Sequence, residues 1–525
     1  MIRNTNEDSL LPKDTASYWR ADMDFPDFPS LNENLDVDVV IVGAGITGIT
    51  SAYLLANEGL KVVVLEADKV LNGTTGHTTA KITAQHDLIY DEFIRNIGRS
   101  NARMYYEANT EALNFIAETV GKHTIDCDFT TQDAIIYSTS EEFKRKIEKE
   151  AEAYEKLHIE GGLLDTIPFD IEVENALVMK NQAQFHPTKY LVHLIQLFMD
   201  KGGKVFENTT AVNVETGDRP TVLTRGDHRI TANYVLACTH FPFYEGAGLY
   251  SARMHADRSY ALAVKAKKKF PPGIYISADE PTRSFRSVMM NGEEIVLIVG
   301  ENHKTGQGVE TMEHYNALEE FGEQVFGLEK ILYRWSAQDL VTLDKLPYIG
   351  EITPGQPKIL IATGFRKWGM SNGTAAALLF RDMVLGKENK FQKLYKPSRF
   401  YANPSLKNFL VQNANVVGQL IKGKLESSRT NPEELEIGQG AVVTLDGHRK
   451  GAYKDDDGEL HIVDTTCTHI GCEVEWNNGD RTWDCPCHGS RFSYTGEVIE
   501  GPAEKPLQKY DYKMIDNLTS KDSGY

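Results

Sequence analysis

The chain has few cysteines, a deficit of basic residues and no long apolar run, and each shortage narrows what it can do. Only six cysteines occur in 525 residues. Cys127 and Cys238 stand alone and read as buried thiols without a role; the other four crowd into two hexapeptides near the C-terminus, CTHIGC and CPCHGS. Lys and Arg total 56 against 75 Asp and Glu, a formal net charge of -19 at pH 7. That balance argues against a nucleic-acid partner, because phosphate backbones select Lys- and Arg-rich surfaces. It leaves room for a basic protein partner. No apolar stretch reaches the roughly 18 residues of a membrane span, and the N-terminal MIRNTNEDSLLPKDTASYW is too polar for a signal-peptide core. The expectation is a cytoplasmic chain. Its length exceeds what one hydrophobic core organises, so two or three domains are expected.

The stretch DVDVVIVGAGITGITSAYLLANEGLKVVVLEADKV reads as a strand, a glycine turn, a helix and a second strand. Val39 to Val42 form the first strand and Val62 to Leu65 the second. Gly43, Gly45 and Gly48 supply the G-x-G-x-x-G turn: the first for the tight turn, the second for approach of a pyrophosphate, the third for close packing of helix on strand. Ile46 and Thr47 lie in the same turn, where the helix N-terminus stabilises phosphate. Glu66, at the end of the second strand, is placed to accept hydrogen bonds from a ribose diol. A second unit of this kind is missing: the Gly306/Gly308 and Gly438/Gly440 pairs lack the full motif. A reductase moving electrons from a nicotinamide through a flavin often needs two, so the single tenant reads as FAD.

The following LNGTTGHTTAKITAQH resembles the second FAD-contacting segment of the D-amino-acid-oxidase-like flavoproteins, which include glycine and sarcosine oxidases and dimethylglycine dehydrogenase. NQAQFHPTKYLVHLIQLFMDKGGKVFENTTAVNVE resembles that family's return to the FAD domain. LDKLPYIG with ILIATGFRKWGMSNGTAAALLFRDMV resembles its last strand, glycine turn and helix. The resemblance covers roughly residues 35–390 and implies FAD contacts at Thr74, Thr75, Gly76, His77 and Thr78, and at Gly364, Phe365, Lys367, Gly369 and Met370. The N-terminus of the helix after Gly369, with Lys367 or Arg366, would stabilise negative charge on reduced flavin; an ordinary strand, turn and helix with surface charges is the alternative. In some relatives a histidine in a loop resembling G-S-T-W-H is covalently joined to FAD. His77 matches that histidine, whereas Gly76 stands where the tryptophan would be. A covalent bond, a non-covalent contact and a purely structural loop histidine all stay open.

Residues 85–160 are helical in pattern, and 205–235 and 255–300 alternate as strands, as in YVLAC and ALAVKAK. This fits a substrate-binding sheet inserted between pieces of the FAD domain, with a small-molecule pocket between sheet and flavin. A catalytic base is not recognisable. His240, Tyr260, Arg286, His303 and Trp368 are candidates for the pocket, each with a structural role as the alternative.

Residues 391–433 read as a connecting helix that packs on the enzyme, with Phe409, Val416, Leu420 and Ile421 at near-helical spacing and Lys residues beside them. A membrane-surface role is the alternative. From Leu435 short strands and turns follow one another closely, as in a small all-β domain. Within it, Cys467-Thr468-His469 and Cys485-x-x-His488 resemble the ligand pairs of Rieske [2Fe-2S] domains, in which two thiolates hold one iron and two imidazoles the other. A Cys2His2 zinc site explains four ligands but leaves Cys472 and Cys487 idle. The Rieske resemblance implies that those two form a disulfide tying the loops together, as in the quinol-oxidising complexes. It also implies a covering loop at Gly501-Pro502-Ala503 and a hydrogen bond from Ser490 to the cluster. High-potential relatives carry a tyrosine two residues after that serine; here it is Phe492, which predicts a lower potential.

The expected fold is therefore an α/β Rossmann-like FAD-binding domain with an inserted α+β substrate domain, plus a small all-β Rieske domain. The expected organisation is an N-terminal extension over 1–34 and FAD-binding segments over 35–100, 181–245 and 336–390. Substrate-domain segments follow over 101–180 and 246–335, a linker helix over 391–433, the Rieske domain over 434–515 and a tail over 516–525. The expected function is dehydrogenation of an amine or amino acid by hydride transfer to flavin N5. Electrons then pass singly to the [2Fe-2S] cluster and on to an external acceptor, a soluble redox protein or a quinone. Reverse flow from the cluster to the flavin, or a redox sensor or electron carrier without catalysis, are the alternatives. An oxygenase is excluded, because a flavin fold occupies the place of a mononuclear iron domain.

Overall fold

The strand Leu35–Val42 is the spine of the first sheet. It pairs in parallel with Arg229–Ala237 on one side and with Val62–Leu65 on the other, so that Val39 lies between Tyr234 and Val62. Val39, Val40, Ile41 and Val42 are all buried, the continuous apolar run of a parallel strand covered on both faces. In this computed structural model, which describes residues 10–425, 430–445 and 447–511, the sheet continues in both directions. Its order is Tyr348–Glu351, Ile359–Thr363, Arg229–Ala237, Leu35–Val42, Val62–Leu65 and Lys204–Phe206. The helix Ile46–Asn57 is buried nearly all round and packs against Gly369–Val384. The expected tail over 516–525 lies outside the described residues.

A second, nine-stranded sheet is assembled from pieces that alternate along the chain with those of the first. Its order is Leu328–Thr342, Met254–Ala266, Glu293–Lys304, Arg283–Met290, Ile274–Ser277, Thr130–Ser138, Asn175–Gln184 and Lys81–Ile82, with Gly161–Leu164 also on Asn175–Gln184. This is the α+β insert. It differs in detail from the sequence reading. The helical stretch 85–160 contains Thr130–Ser138 between the helices Arg99–His123 and Glu141–Leu157. The N-terminal segment is built into the fold rather than appended to it: Tyr18 and Trp19 are buried, and the Trp19 indole donates to the Thr78 carbonyl at 2.6 Å.

The chain divides into two units by its contacts. The first holds both sheets except for the strand ends Met254–Arg258 and His303–Lys304. The second comprises Lys407–Tyr525 together with Ser251–Arg258 and His303–His314, two segments that the sequence reading placed within the substrate sheet over 246–335. Its all-β part has two four-stranded sheets, one from Gly440–Leu445, His448–Lys454, Leu460–Asp464 and Lys509–Tyr510, the other from Glu475–Asn477, Thr482–Asp484, Arg491–Ser493 and Val498–Glu500. The expected linker helix is Ala402–Leu425. Its Val416 and Leu420 pack against the core formed by Val463, Val474, Trp483 and Phe492, while Phe409 and Ile421 stay exposed. The apolar stripe of the helix thus packs on the β domain, while Gln412, Asn413 and Asn415 hydrogen-bond with Lys304, Ala252 and Gln307 of the segments expected in the substrate sheet, so the expected packing on the enzyme is met only in part.

Candidate functional site

The glycine turn in the first unit has the geometry that a dinucleotide requires. A Cβ on Gly48 would lie 1.9 Å from the Gly43 carbonyl oxygen, so only glycine lets the helix start this close to the strand. The Glu66 carboxylate accepts from Ala44 N at 2.8 Å and Asp68 N at 3.2 Å, and burial raises its pKa. The Thr75 hydroxyl accepts from Ile46 N at 3.1 Å, joining the second segment to the N-terminus of the helix. Thr74–His77 form a short helical turn, and the His77 carbonyl accepts from the buried Trp335 indole at 2.9 Å. The tryptophan of the covalent-flavin loop has no room in this turn, since a Cβ on Gly76 would lie 2.1 Å from the Leu71 carbonyl oxygen.

Beside this loop the second sheet presents two buried cations. Lys81 contacts the Ser284 hydroxyl; Arg286 donates to the Thr79 carbonyl at 2.6 Å and the Phe185 carbonyl at 3.3 Å, and its guanidinium lies over Trp19. Neither has a carboxylate in ion-pairing reach among the described residues. Burial, reinforced by the nearby Arg286 and Lys367 charges, lowers the Lys81 pKa to about 7. Trp368 sits at the N-terminus of Gly369–Val384, stacked on His86 at 4.7 Å, with its indole nitrogen buried and without an acceptor. Lys367 donates to Asn302 at 3.1 Å.

In the second unit the cysteine and histidine residues lie on two loops of the same build. Gly471 N donates to the Cys467 carbonyl and Gly489 N to the Cys485 carbonyl, each at 3.0 Å. Gly471 and Gly489 have φ of 82° and 80°, the left-handed conformation that favours glycine. This is why each hexapeptide carries glycine four residues after its first cysteine. The loops are tied by a disulfide between Cys472 and Cys487. Cys467 and Cys485 are buried and free, and their side chains meet: as bare thiols, Cys485 donates to the Cys467 sulfur, lowering Cys467 to about 7 and raising Cys485. The His469 and His488 rings lie 5.0 Å apart. Burial lowers the His488 pKa to about 4, and its Nδ1 is buried with no hydrogen-bond partner. Ser490 faces the Cys467 sulfur and accepts from Ala503 N at 3.0 Å.

Comparison with known proteins agrees with both halves. The family of FAD dependent oxidoreductases matches residues 38–383, and the Rieske [2Fe-2S] domain matches residues 429–511. The chain belongs to the FAD-dependent oxidoreductase family. It carries a Rieske domain at its C-terminal end, and it is an oxidoreductase whose two domains imply FAD and a [2Fe-2S] cluster. It is 51% identical to the putative Rieske 2Fe-2S iron-sulfur protein YhfW of Bacillus subtilis (strain 168) across 94% of this chain and 97% of that one. It is 22% identical to gamma-glutamylputrescine oxidoreductase of Escherichia coli (strain K12), across 72% of this chain and 90% of the relative. The crystal structure of glycine oxidase from Geobacillus kaustophilus shares the fold over 70% of this chain and all of that one, with a TM-score of 0.57 at 18% identity.

The residues present suit both groups. An FAD-dependent enzyme needs a turn open to pyrophosphate and polar groups awaiting a partner; the glycine turn and the unpartnered Trp368 indole meet that need, and Lys81 is a buried amine without a carboxylate in reach. A Rieske cluster needs two thiolates and two neutral imidazoles. The meeting of Cys467 with Cys485, and a neutral His488 with an unused ring nitrogen, are consistent with it. The pocket candidates from the sequence are not all brought together. Arg286 lies beside the Thr74–His77 loop. Tyr260 packs edge-on against Tyr315 in the interior of the first unit, and the His240 carbonyl accepts from Thr363. His303 falls in the second unit, stacked on His314 at 4.4 Å. Lys81 escaped the sequence reading. The signal lay inside the quoted KITAQH, where a lone lysine interrupts an otherwise uncharged segment.

Proposed function

We propose that the enzyme dehydrogenates an amine or amino acid and disposes of the electrons one at a time through its Rieske domain. Gly43, Gly45, Gly48, Glu66 and the Thr74–Thr78 and Gly364–Met370 segments hold FAD; Cys467, His469, Cys485 and His488 hold the cluster. FAD supplies a two-electron acceptor at N5 and the cluster a one-electron carrier. The carbon beside the substrate nitrogen gives up a hydride, the nitrogen loses its proton, and a C=N bond remains. The two electrons leave singly for an external acceptor, a soluble redox protein or a quinone. We place the enzyme in the cytoplasm; among the described residues no helix is long and apolar enough to cross a membrane.

The observation that carries this reading is one chain holding both an amine-oxidase-type flavin fold and two matched Cys/His loops. A relative named for gamma-glutamylputrescine and a structural neighbour titled glycine oxidase support nitrogen-bearing substrates. The test is anaerobic addition of amines and amino acids, read by flavin absorbance, followed by turnover with a haem protein as acceptor. Cys467→Ser should keep substrate-driven bleaching and lose acceptor reduction. Acceptor reduction at the wild-type rate in a variant without iron would remove the exit role.

A further inference from the structure

Behind the second ligand loop the second unit gathers five charged side chains. Arg258 is 1% exposed, and its guanidinium lies 3.5 Å from Glu500, 3.6 Å from Asp484 and 3.9 Å from Asp480. Arg491 shares the same three carboxylates. Its Nε lies 3.3 Å from Asp484, its terminal nitrogens contact Asp480, and Glu500 is 4.0 Å away. Asp484 also accepts from Asn477 at 2.8 Å and from Thr482 at 2.9 Å, so four donors or cations surround its carboxylate.

Two of these residues are covalent neighbours of the cluster site: Asp484 precedes Cys485, and Arg491 follows Ser490. Taken alone, the β domain's share of the group is three carboxylates and one guanidinium, a formal charge of -2 (from 1 - 3). Arg258 comes from the strand Met254–Ala266, more than two hundred residues earlier, and brings the sum to -1. A buried excess of negative charge is costly, and a cation inserted from another part of the chain offsets it. The same cation acts on any charge change at the adjoining loop. Reduction adds an electron, so nearby negative charge opposes it and nearby positive charge favours it, and net charge is among the factors that set cluster potentials.

We propose that Arg258 is a positioning residue for the cluster: through the carboxylates beside Cys485 it holds the reduction potential of the Rieske centre above the value the β domain would have alone. The role rests on the [2Fe-2S] reading above. A segment from the flavin-side sequence thereby tunes how readily the cluster accepts an electron.

The test uses the full-length holoprotein and redox titration followed by EPR, with iron content and thermal midpoint recorded alongside. Arg258→Met should lower the midpoint potential, Arg258→Lys should stay near wild type, and Glu500→Gln, which removes a negative charge from the same group, should raise it. The double variant should fall between the single ones. A residue that only clamps the fold would reduce cluster occupancy or thermal midpoint while the remaining clusters titrate as in wild type. An unshifted Arg258→Met, or shifts of the same sign in Arg258→Met and Glu500→Gln, overturns the proposal. If Arg258→Met does not fold, a Glu500→Gln midpoint no higher than wild type overturns it equally. Wild-type protein without a Rieske EPR signal fails the cluster reading itself, whereas a wild-type signal with unmoved variants fails only the role of Arg258.

Discussion

Phe492 pairs across the sheet with Trp483 and is fully buried in the core that backs both ligand loops. It has no hydroxyl to add to that of Ser490, which faces the Cys467 sulfur. Hydrogen bonds to cluster sulfurs raise the potential. Phe492→Tyr should therefore titrate higher than wild type, measured by EPR-monitored redox titration; an equal or lower midpoint contradicts the role given to this position. Lys81 makes a second prediction at the same scale. Its pKa falls from 10.5 to about 7 on burial. Between those values the unfolded chain holds a proton that the folded chain has released, so this group makes stability rise with pH across that window. Lys81→Met removes the titration. Relative to wild type, its thermal midpoint should shift downward as pH goes from about 7 to about 10, and parallel profiles would refute the depressed lysine.

Among the elements, the loop after Glu293–Lys304 shows how narrowly the second unit is fitted. Gly306 has a φ of 68°, and a Cβ there would lie 2.8 Å from Pro486 N and 3.0 Å from the Asp484 carbonyl oxygen. Gln307 donates to the Pro486 carbonyl at 2.9 Å. Gly306→Ala should destabilise this unit by about 1–3 kcal/mol, from left-handed strain and the close approach together. Thermal unfolding followed by loss of cluster absorbance checks it, and an unchanged transition contradicts the fit. Gly306 was visible in the sequence only as half of a failed dinucleotide motif. Its real constraint comes from Pro486, 180 residues away, and no local pattern announces such a contact. By contrast the turn at Gly43 and Gly48 and the matched loops of the two Cys/His hexapeptides were legible, because each is built from a few consecutive residues. Thr130–Ser138 was not, because a strand bordered by two long helices borrows their periodicity. The burial of Trp19 under the flavin-side loop likewise depends on Thr78, distant in sequence.

For the whole molecule, an FAD-dependent oxidoreductase domain followed by a Rieske domain was readable, and the grouping of two inserted segments was not. Alternation of FAD-domain and sheet segments follows from the βαβ start and the later glycine turn. That Ser251–Arg258 and His303–His314 group with the cluster domain depends on buried ion pairs and loop contacts that sequence spacing does not encode. The central claim is that electrons taken as a pair at the flavin leave singly through the Rieske centre of the same chain. Its most direct test is anaerobic rapid mixing of oxidised protein with a reducing amine, following flavin absorbance and, in freeze-quenched samples, the EPR signal of the reduced cluster. The account predicts that flavin bleaches first and that the cluster signal then grows as flavin absorbance partly returns. Flavin that stays bleached beside an iron-loaded cluster that never becomes reduced would contradict it.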